Sequence, residues 1–337
     1  MTLNNVEFRN LELREQNLAE IDFSNSQINN STFTKCRIID ADFSETEMRN
    51  ARFDEGEIRN TDFTKANLLG SDFVGVESKL TDFEDSNLLK LNLKNSVFMS
   101  ADFTDANAQG ATLDNSNLED ATFIRTELRD ASLKNTRLYQ TLFSDVRINS
   151  NTDFGEESAY EDPDTELGEN YDDTTRFEAA AWVYRRLQDL HEENAMSEQA
   201  REYHVRKEEA HRSNYWAKGQ YFQWFVYTLN RYLTHHGESL KHVVAWSVGT
   251  ILTCALAYPL AGGISTGNEV FRVGSGAALG GLFLRSLYFS TVTFTTHGYD
   301  DSPPVGPAAK ALAGAESLAG ALLVALFVFV LGRRVAR

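Results

Sequence analysis

A large apolar residue recurs at every fifth position across residues 8–148 of this 337-residue chain. Of the 29 positions reached from Phe8 in steps of five, 27 carry a large apolar side chain, and Ser78 and Ala108 break the series. An amphipathic helix repeats its apolar residues about every 3.6 positions and a half-buried strand at every second position, so a period of five fits neither. The pattern predicts a stack of coils in which each short side buries one large residue.

A second column of small residues accompanies the large one. Most units carry a small residue two positions before the large one, and Asp, Asn or Thr often lies between them, as at Asp42 and Asn117. This pattern, A-(D/N)-L-x-x, resembles the pentapeptide-repeat family, and the resemblance implies a right-handed four-sided β-helix over residues 1–150. Four units per coil would give about seven coils, in a stack roughly 34 Å tall at ~4.8 Å per coil. The small column includes Ala41, Ala51, Ala66, Ala101, Ala106, Ala111, Ala121 and Ala131.

Acidic residues dominate the front of the chain. The 49 Asp and Glu exceed the 32 Lys and Arg, which gives a net charge of -17. This balance argues against a protein that binds nucleic acid by neutralising phosphates, so no nucleic-acid partner is expected. Some pentapeptide-repeat proteins are acidic mimics of DNA, but here the negative charge continues into residues 151–176 and marks no particular site. We therefore favour a scaffold or interaction surface, whose cytoplasmic partner or ligand the sequence does not identify.

Residues 151–174 are acidic and almost free of apolar side chains. Charge without periodicity predicts a solvated linker. A calcium loop is the alternative, but the spacing Asp-x-Asp-x-Asp-Gly is absent. Residues 175–240 show helical periodicity and predict two connecting helices with a turn at residues 194–197, the second continuing towards Leu233. The aromatic residues of 215–235 favour a helix at the membrane surface over a buried hairpin that packs on the β-helix.

Two long apolar segments lie in the last hundred residues. Residues 242–261 contain no Asp, Glu, Lys or Arg, and residues 311–331 contain one acid, Glu316. About 20 apolar residues cross ~30 Å of hydrocarbon, so both segments are predicted membrane spans of a pore domain over residues 241–337. Basic residues flank the outer ends of the spans and no signal peptide is evident, so we expect a multi-pass cell-membrane protein with both termini cytoplasmic. The basic residues are Arg231, Lys241, Arg333, Arg334 and Arg337.

A third apolar stretch, residues 282–296, lies between the spans and is too short to cross the bilayer. Non-helical backbone at membrane depth is tolerated only where it is buried in protein or lines water, so a half-length helix followed by a loop predicts a re-entrant pore loop. The segment Thr293-Phe-Thr-Thr-His-Gly-Tyr-Asp-Asp301 resembles the pattern T-x-T-T-V-G-Y-G-D of the two-transmembrane pore-loop potassium channel family. The second span, ESLAGALLVALFVFVLGRR, supports this resemblance.

The resemblance implies a pore helix over residues 282–296 and a selectivity filter over residues 296–300. Backbone carbonyls of four such loops would replace the hydration shell of a permeant potassium ion or another monovalent cation, and no cofactor is expected. Gly298 would permit the backbone geometry, and the Thr296 hydroxyl would add the innermost ring of ligands. The implied ion-binding residues are Thr296, His297, Gly298, Tyr299 and Asp300, of which the first four would be potassium ligands.

Two residues depart from the family pattern. His297 stands where the family has Val or another apolar residue, and Asp300 stands where it has the last glycine. His297 is predicted to be a neutral, packed imidazole, with titration and pH-sensitive conduction as the alternative. Asp300 and Asp301 of four chains would surround the outer mouth and attract cations without favouring potassium over sodium. Cation conduction is the prediction, with a non-selective cation channel and a non-conducting membrane-tethered scaffold as alternatives.

Gly320 and Glu316 are the distinctive positions of the second span. Gly320 is a candidate gate hinge, or else one of the small residues that allow close helix packing. A carboxyl group is costly in lipid, so we expect Glu316 beside the pore helix in a structural hydrogen bond rather than in ion binding.

The assembly follows from the implied filter. One chain supplies a quarter of it, so we expect a homotetramer in the lipid bilayer, with the β-helix as a regulatory or assembly domain. Catalytic motifs are absent, which argues against an enzyme. Two cysteines, Cys36 and Cys254, are too few for a disulfide framework or a four-ligand zinc site.

Overall fold

The structure, a computed structural model, has two compact units, Met1–Gly219 and Gln220–Arg337. The first is a β-helix with a helical hairpin, and the second is largely helical. Each unit has hydrophobic clusters of its own. The residues that the structure describes are 2–165, 174–266, 269–274, 279–295 and 302–335.

The β-helix completes one coil every 20 residues. Parallel pairing joins Glu12 to Thr32 and Thr32 to Arg52, and an isolated bridge joins Asn117 to Arg137 at the same offset. Four five-residue units therefore form each coil, which confirms the predicted four-sided β-helix. The named strands are β1 (Glu12–Arg14), β2 (Thr32–Thr34), β3 (Arg37–Ile39), β4 (Arg52–Asp54), β5 (Glu57–Arg59), β6 (Glu77–Lys79), β7 (Val97–Met99), β8 (Thr122–Ile124) and β9 (Leu142–Ser144).

Stacked aromatic rings fill the centre of the β-helix. One column stacks with ring centroids 4.7–5.4 Å apart, which is the separation of neighbouring coils. The two lapses in the repeat remain inside: Ala108 is buried, and the buried Ser78 hydroxyl hydrogen-bonds the Thr81 hydroxyl. The core of the β-helix thus tolerates a polar side chain where a second hydroxyl provides its hydrogen-bond partner. The column contains Phe23, Phe43, Phe63, Phe83, Phe103, Phe123 and Phe143.

A residue in the left-handed conformation ends every side of the coil. Every fifth residue from Asn5 to Asp145 has a positive φ. Asn and Asp tolerate this conformation, but Lys35 and Leu80 adopt it as well, with φ of 53° and 57°. The left-handed region costs such residues about 1–2 kcal/mol. Their backbone N–H groups bond the next coil (Lys35 to the Asp54 carbonyl at 2.8 Å), so the stack enforces the turn.

Residues 153–165, here called the strap, pack onto the β-helix, which contradicts the predicted solvated linker. The buried Tyr160 hydroxyl donates to the Glu119 carboxylate at 2.7 Å, and Arg137 donates to the same carboxylate at 2.8 and 3.1 Å. Oε1 of the buried Glu119 thereby joins the strap to the β-helix. The prediction was wrong because single aromatic residues without a period give no signal within a run of acids. The rest of the predicted linker, residues 166–173, lies outside the described residues.

A helical hairpin closes the C-terminal end of the β-helix. Thr175 caps its first helix through a reciprocal pair of hydrogen bonds with Glu178. At the predicted turn, the Asn194 side chain accepts from the Ile148 N–H at 3.1 Å and donates to the Val146 carbonyl at 2.8 Å. Asn194 therefore satisfies backbone groups of the last coil. These elements of the first unit are a 3-10 turn in the strap (Ala159–Glu161), α1 (Arg176–Glu193) and α2 (Ser197–Ala217).

Helix α2 ends at Ala217 and does not continue towards Leu233, contrary to the prediction. Gly219 follows with a φ of 69°, a conformation that glycine adopts without steric cost. A separate helix, α3 (Tyr221–Thr234), begins two residues later. The aromatic periodicity continues across the break, so the apolar pattern alone does not reveal it.

His191 lies in the core between the hairpin and the last coil. Its ring centroid is 5.7 Å from that of Phe154 and 4.8 Å from that of Tyr203, and its Nδ1 lies 2.7 Å from the Leu187 carbonyl. Burial lowers the pKa of His191 below its ordinary value of 6.5. As the pH falls below about 6.5, His191 becomes protonated in the unfolded chain but stays neutral in the folded chain. The free energy of unfolding therefore decreases.

We therefore expect the first unit to lose stability between pH 7 and pH 5. Substitution His191→Phe is expected to make that loss smaller, because the titrating group is gone while its aromatic contacts remain. Equilibrium urea unfolding at both pH values, followed by circular dichroism, measures the difference. An identical loss in the variant and the natural chain would contradict the assignment.

The second unit contains the two predicted spans and the helix between them. Its β-hairpin pairs antiparallel, with Ser265 opposite Val270. Helices α4, α5 and α6 all pack on one another. Beyond α3, the described elements are α4 (Leu240–Ala261), β10 (Ile264–Thr266), β11 (Glu269–Phe271), α5 (Leu279–Phe294) and α6 (Gly306–Val335).

Candidate functional site

Helices α4 and α6 are long and apolar enough to cross a membrane. Their 22 and 30 residues correspond to about 33 and 45 Å, against ~30 Å of hydrocarbon. The two run antiparallel, because Tyr258 near the end of α4 bonds Glu316 near the start of α6, whereas Val243 at the start of α4 clusters with Val330 near the end of α6. Their exposed apolar side chains include Val244, Trp246, Val248, Leu252, Leu256, Leu260, Leu318, Leu322, Val324, Val328, Phe329 and Leu331.

Helix α5 is a half-length helix that packs on both spans. Phe289 on its buried face meets Tyr258 of α4 edge-on, with ring centroids 4.8 Å apart. Tyr288 is exposed, so the two adjacent aromatic residues lie on different faces. The buried face repeats at three- to four-residue steps, as expected for an amphipathic helix. It comprises Leu282, Ser286, Phe289, Ser290, Thr293 and Phe294.

The second half of α5 lies along the first half of α6, and α5 ends near the middle of α6. Phe289 clusters with Ala313, whereas the Phe294 carbonyl lies against Gly320, where a Cβ would be 2.1 Å from the oxygen. Gly320 is 14 residues beyond Gly306, or about 21 Å along the helix. Helix α5 thus reaches about half the length of the second span and stops, which is the geometry of a re-entrant helix.

Nine residues after the end of α5, the chain is bonded to the segment that follows α4. The Val305 N–H donates to the Gly263 carbonyl, and the Ser265 N–H donates to the Pro303 carbonyl, both at 3.0 Å. These bonds join the segment before α6 to the segment after α4. A glycine is required at Gly262, because a Cβ there would lie 2.3 Å from the Val305 carbonyl oxygen.

The predicted filter and outer mouth lie outside the described residues. The structure describes the flanks on both sides, up to Thr295 and again from Ser302. The ion-binding roles therefore stay predictions. The residues concerned are Thr296, His297, Gly298, Tyr299, Asp300 and Asp301.

Glu316 lies where α4, α5 and α6 meet and is 2% exposed. Its two carboxyl oxygens hydrogen-bond the Tyr258 hydroxyl of α4 and the Ser290 hydroxyl of α5, and the Cys254 thiol bonds the same carboxyl. This confirms that Glu316 lies beside α5, the predicted pore helix, in a structural hydrogen bond. Sequence reasoning missed the partners, because a tyrosine, a serine and a cysteine within apolar segments carry no distinguishing signal.

Gly320 contacts backbone, which bears on its two proposed roles. The Phe294 carbonyl occupies the space beside it, whereas among the described residues no atom beyond the adjacent backbone of α6 lies within 4 Å of where a Cβ of Gly314 would be. Helix α6 is continuous through Gly320. The contact favours close packing as the reason for glycine at this position, and the gate hinge stays a prediction.

Helix α3 exposes an aromatic face just before the first span. The Trp246 Nε1 of α4 donates to the Tyr232 carbonyl at 2.7 Å, and Arg333 of α6 pairs with Glu238 of the α3–α4 connection at 3.2 Å. An exposed apolar face next to a membrane span is typical of a helix at the membrane surface. The exposed residues are Tyr221, Phe222, Phe225, Val226, Leu229 and Tyr232.

The β-hairpin between α4 and α5 is a feature that the sequence reasoning missed. Its Phe271 ring lies 4.0 Å from the Arg285 guanidinium of α5, a cation–π contact that holds the hairpin to that helix. The alternation of its short strands was too brief to recognise. Across the described parts of both units, no group of three or more His, Cys, Asp or Glu is placed to hold a metal ion.

Family comparisons divide the chain in the same way. The pentapeptide repeat region family matches residues 1–83, and pentapeptide repeats in eight copies match residues 80–115 and 109–145. The ion channel family matches residues 266–337. No curated protein matches the chain.

Similar solved structures are pentapeptide repeat proteins. HetL, involved in heterocyst differentiation regulation in the cyanobacterium Nostoc sp. strain PCC 7120, is 16% identical, with 49% of this chain and 93% of HetL covered and a TM-score of 0.30. A pentapeptide repeat protein from the Arabidopsis thaliana thylakoid lumen is 20% identical, with 38% and 68% covered and a TM-score of 0.18.

The family matches coincide with the β-helix and with the segment that carries α5 and α6. The family of the second match points to transport rather than to catalysis. The chain is therefore a membrane protein that joins an N-terminal pentapeptide-repeat domain to a C-terminal domain of the ion channel family.

Proposed function

We propose that this protein is a tetrameric cation channel that conducts potassium through a filter of residues 296–300. The observation that carries the proposal is the re-entrant course of the chain. Helix α5 ends beside Gly320 at mid-depth of α6, and Pro303 is already bonded to Ser265 at the end of the span. A channel needs this course, because it brings backbone from one membrane side to the middle of the bilayer and back.

The length of the connection supports a carbonyl-lined filter. The path from Phe294 back to the start of α6 covers about 21 Å of helix length, as measured from Gly320 to Gly306. The twelve residue steps from Phe294 to Gly306 reach about 40 Å when extended, whereas a helix of that length would fall short at about 18 Å. An extended chain fits the path, and it would present successive carbonyl oxygens to an ion.

Potassium is the proposed ion because Thr296, Gly298 and Tyr299 match the filter pattern. Asp300 replaces the last glycine, and Asp tolerates a left-handed backbone better than most residues. His297 is proposed to face protein behind the filter as a neutral imidazole. The carboxylates of Asp300 and Asp301 would raise the local cation concentration at the outer mouth.

A homotetramer is proposed because one chain supplies one filter strand and ion channels of this kind usually form oligomers. The exposed face of α5, which includes Leu284 and Tyr288, would pack against a neighbouring subunit. Both termini are proposed to be cytoplasmic, because Lys241 and Arg333 lie at the same end of the α4–α6 pair. The β-helix would then regulate or assemble the channel from the cytoplasm.

We expect the purified full-length chain in liposomes to carry potassium flux that barium blocks. Reversal potentials under opposed potassium and sodium gradients are expected to favour potassium. The variant Gly298→Ala is the internal control, because a side chain at this position would disturb the carbonyl ring, and its current is expected to vanish.

The same measurements discriminate the alternatives. A reversal potential near zero would make the protein a non-selective cation channel, and Asp300→Gly would then test whether the missing glycine is the reason. Intact tetramers without flux would indicate a non-conducting scaffold. Full current in Gly298→Ala would refute the filter assignment.

A further inference from the structure

We propose that Glu316 is a positioning residue of the conduction site: as a neutral carboxylic acid it holds α5 against both spans and couples the position of α6 to the last turn of α5. The inference rests on the proposed channel function and assigns part of its regulation to a residue at the junction of α4, α5 and α6.

The carboxyl group joins three helices. Tyr258 donates its hydroxyl proton to Oε2 of Glu316, and Ser290 contacts Oε1. The Tyr258 ring also packs edge-on against Phe289, so the same side chain binds the carboxyl and supports α5. With Glu316 almost fully buried, water cannot replace these partners if the carboxyl is removed.

A proton on this carboxyl fits the hydrogen bonds that surround it. The Ser290 Oγ lies 2.8 Å from the Ile251 carbonyl and also contacts Oε1 of Glu316. A carbonyl only accepts, and a serine hydroxyl has one proton to donate. If Ser290 donates to Ile251, the bond to Oε1 forms only when Glu316 supplies the proton. Oε2 then accepts from Tyr258, so both carboxyl oxygens have a matching partner.

The cluster acts on the filter through the end of α5. Helix α6 contacts α5 at Ser290 through Glu316, and one turn later at Phe294 through Gly320. The spacing is four residues on both helices, so two successive turns of α5 lie against two successive turns of α6. Phe294 precedes the proposed filter by two residues. A displacement of α6 at this level therefore displaces the residues that lead into the filter.

The test compares Glu316→Gln with Glu316→Ala in liposomes, using potassium flux and the potassium-to-sodium permeability ratio as readouts. Glutamine reproduces the neutral acid, because its NH2 group donates to Ser290 and its oxygen accepts from Tyr258. We expect Glu316→Gln to keep both readouts. We expect Glu316→Ala to lower potassium flux about tenfold and to move the permeability ratio towards one, because it removes both interhelical bonds.

Ser290→Ala provides the second variant, because it deletes the hydroxyl with little change in volume and tests the cluster if Glu316→Ala does not fold. An intermediate loss of selectivity is expected. An unchanged permeability ratio in Ser290→Ala or Glu316→Ala would overturn the positioning role. Loss of selectivity in Glu316→Gln equal to that in Glu316→Ala would overturn the neutral acid.

Two measurements separate this inference from the channel function itself. The infrared spectrum of the natural chain is expected to contain the C=O band of a buried carboxylic acid that is missing in Glu316→Gln. Hydrogen exchange in α5 is expected to be faster in Glu316→Ala than in Glu316→Gln. If the natural chain carries no flux, but the infrared band and the difference in hydrogen exchange are both observed, the channel proposal is wrong. The structural role of the neutral Glu316 carboxyl is then still supported. Absence of both differences would overturn the cluster whether or not the protein conducts.

Discussion

Substitution Gly320→Ala is expected to abolish selective ion flux. A Cβ at this position would lie 2.1 Å from the Phe294 carbonyl oxygen and 2.9 Å from its carbon. Both contacts are with backbone, so no side-chain rotation relieves them, and the last turn of α5 must move. Overpacking of this kind costs about 3 kcal/mol, which corresponds to roughly a hundredfold lower flux if the displaced state does not conduct.

Gly314→Ala is the matched control, because it makes the same change on the same helix where, among the described residues, no atom beyond the adjacent backbone of α6 lies within 4 Å of the added Cβ. Potassium flux from liposomes measures both variants. The experiment also distinguishes the two roles proposed for Gly320. A hinge predicts altered gating with selectivity retained, whereas the packing contact predicts loss of selectivity. Normal selective flux in Gly320→Ala would show that the contact with Phe294 is dispensable for conduction.

Substitution Phe63→Ala is expected to destabilise the β-helix by about 3–5 kcal/mol. The Phe63 ring is fully buried and stacks between Phe43 and Phe83 at centroid distances of 5.1 and 5.3 Å. It also meets Phe53 and Phe73 edge-on at 6.0 and 5.8 Å. Truncation would leave a cavity between coils that backbone pairing on both sides prevents from collapsing.

Phe8→Ala is the corresponding control in the first coil. Phe8 belongs to the same five-residue repeat but lies on another side of the coil and is 38% exposed, so its truncation removes little buried contact and leaves no closed cavity. We expect a loss of about 1 kcal/mol or less. Equilibrium urea unfolding followed by circular dichroism of the β-helix measures both. Equal losses in the two variants would show that the stacked column does not carry the stability of the coil stack.

The β-helix could be predicted almost completely from the repeat. Its period decides which side chains face inward, and the 20-residue offset between coils follows once four units form a coil. The left-handed turn residues could not be predicted in the same way. Lys35 and Leu80 have no preference for positive φ, and they adopt it because the coils before and after them do.

The packing of the strap and the hydrogen bonds of Glu316 could not be predicted from the sequence, and the reason is the same for both. Tyr160 meets Glu119 across 41 residues, and Tyr258 meets Glu316 across 58. Neither pair belongs to a periodic pattern. The expectation for Glu316 succeeded because the energetic cost of a carboxyl in lipid is a property of that residue alone. The identity of its partners depends on which helix faces pack together.

The sequence alone determined the coil period, the two spans and the half-length helix between them, because burial of apolar side chains imposes a local and repeated pattern. Only the tertiary structure decided that residues 153–165 fold back onto the β-helix, that α2 and α3 are separate helices, and that α5 ends against Gly320. Those outcomes depend on single contacts between distant residues, where one hydroxyl or one missing Cβ decides the fit, and a one-residue feature leaves no period in the chain.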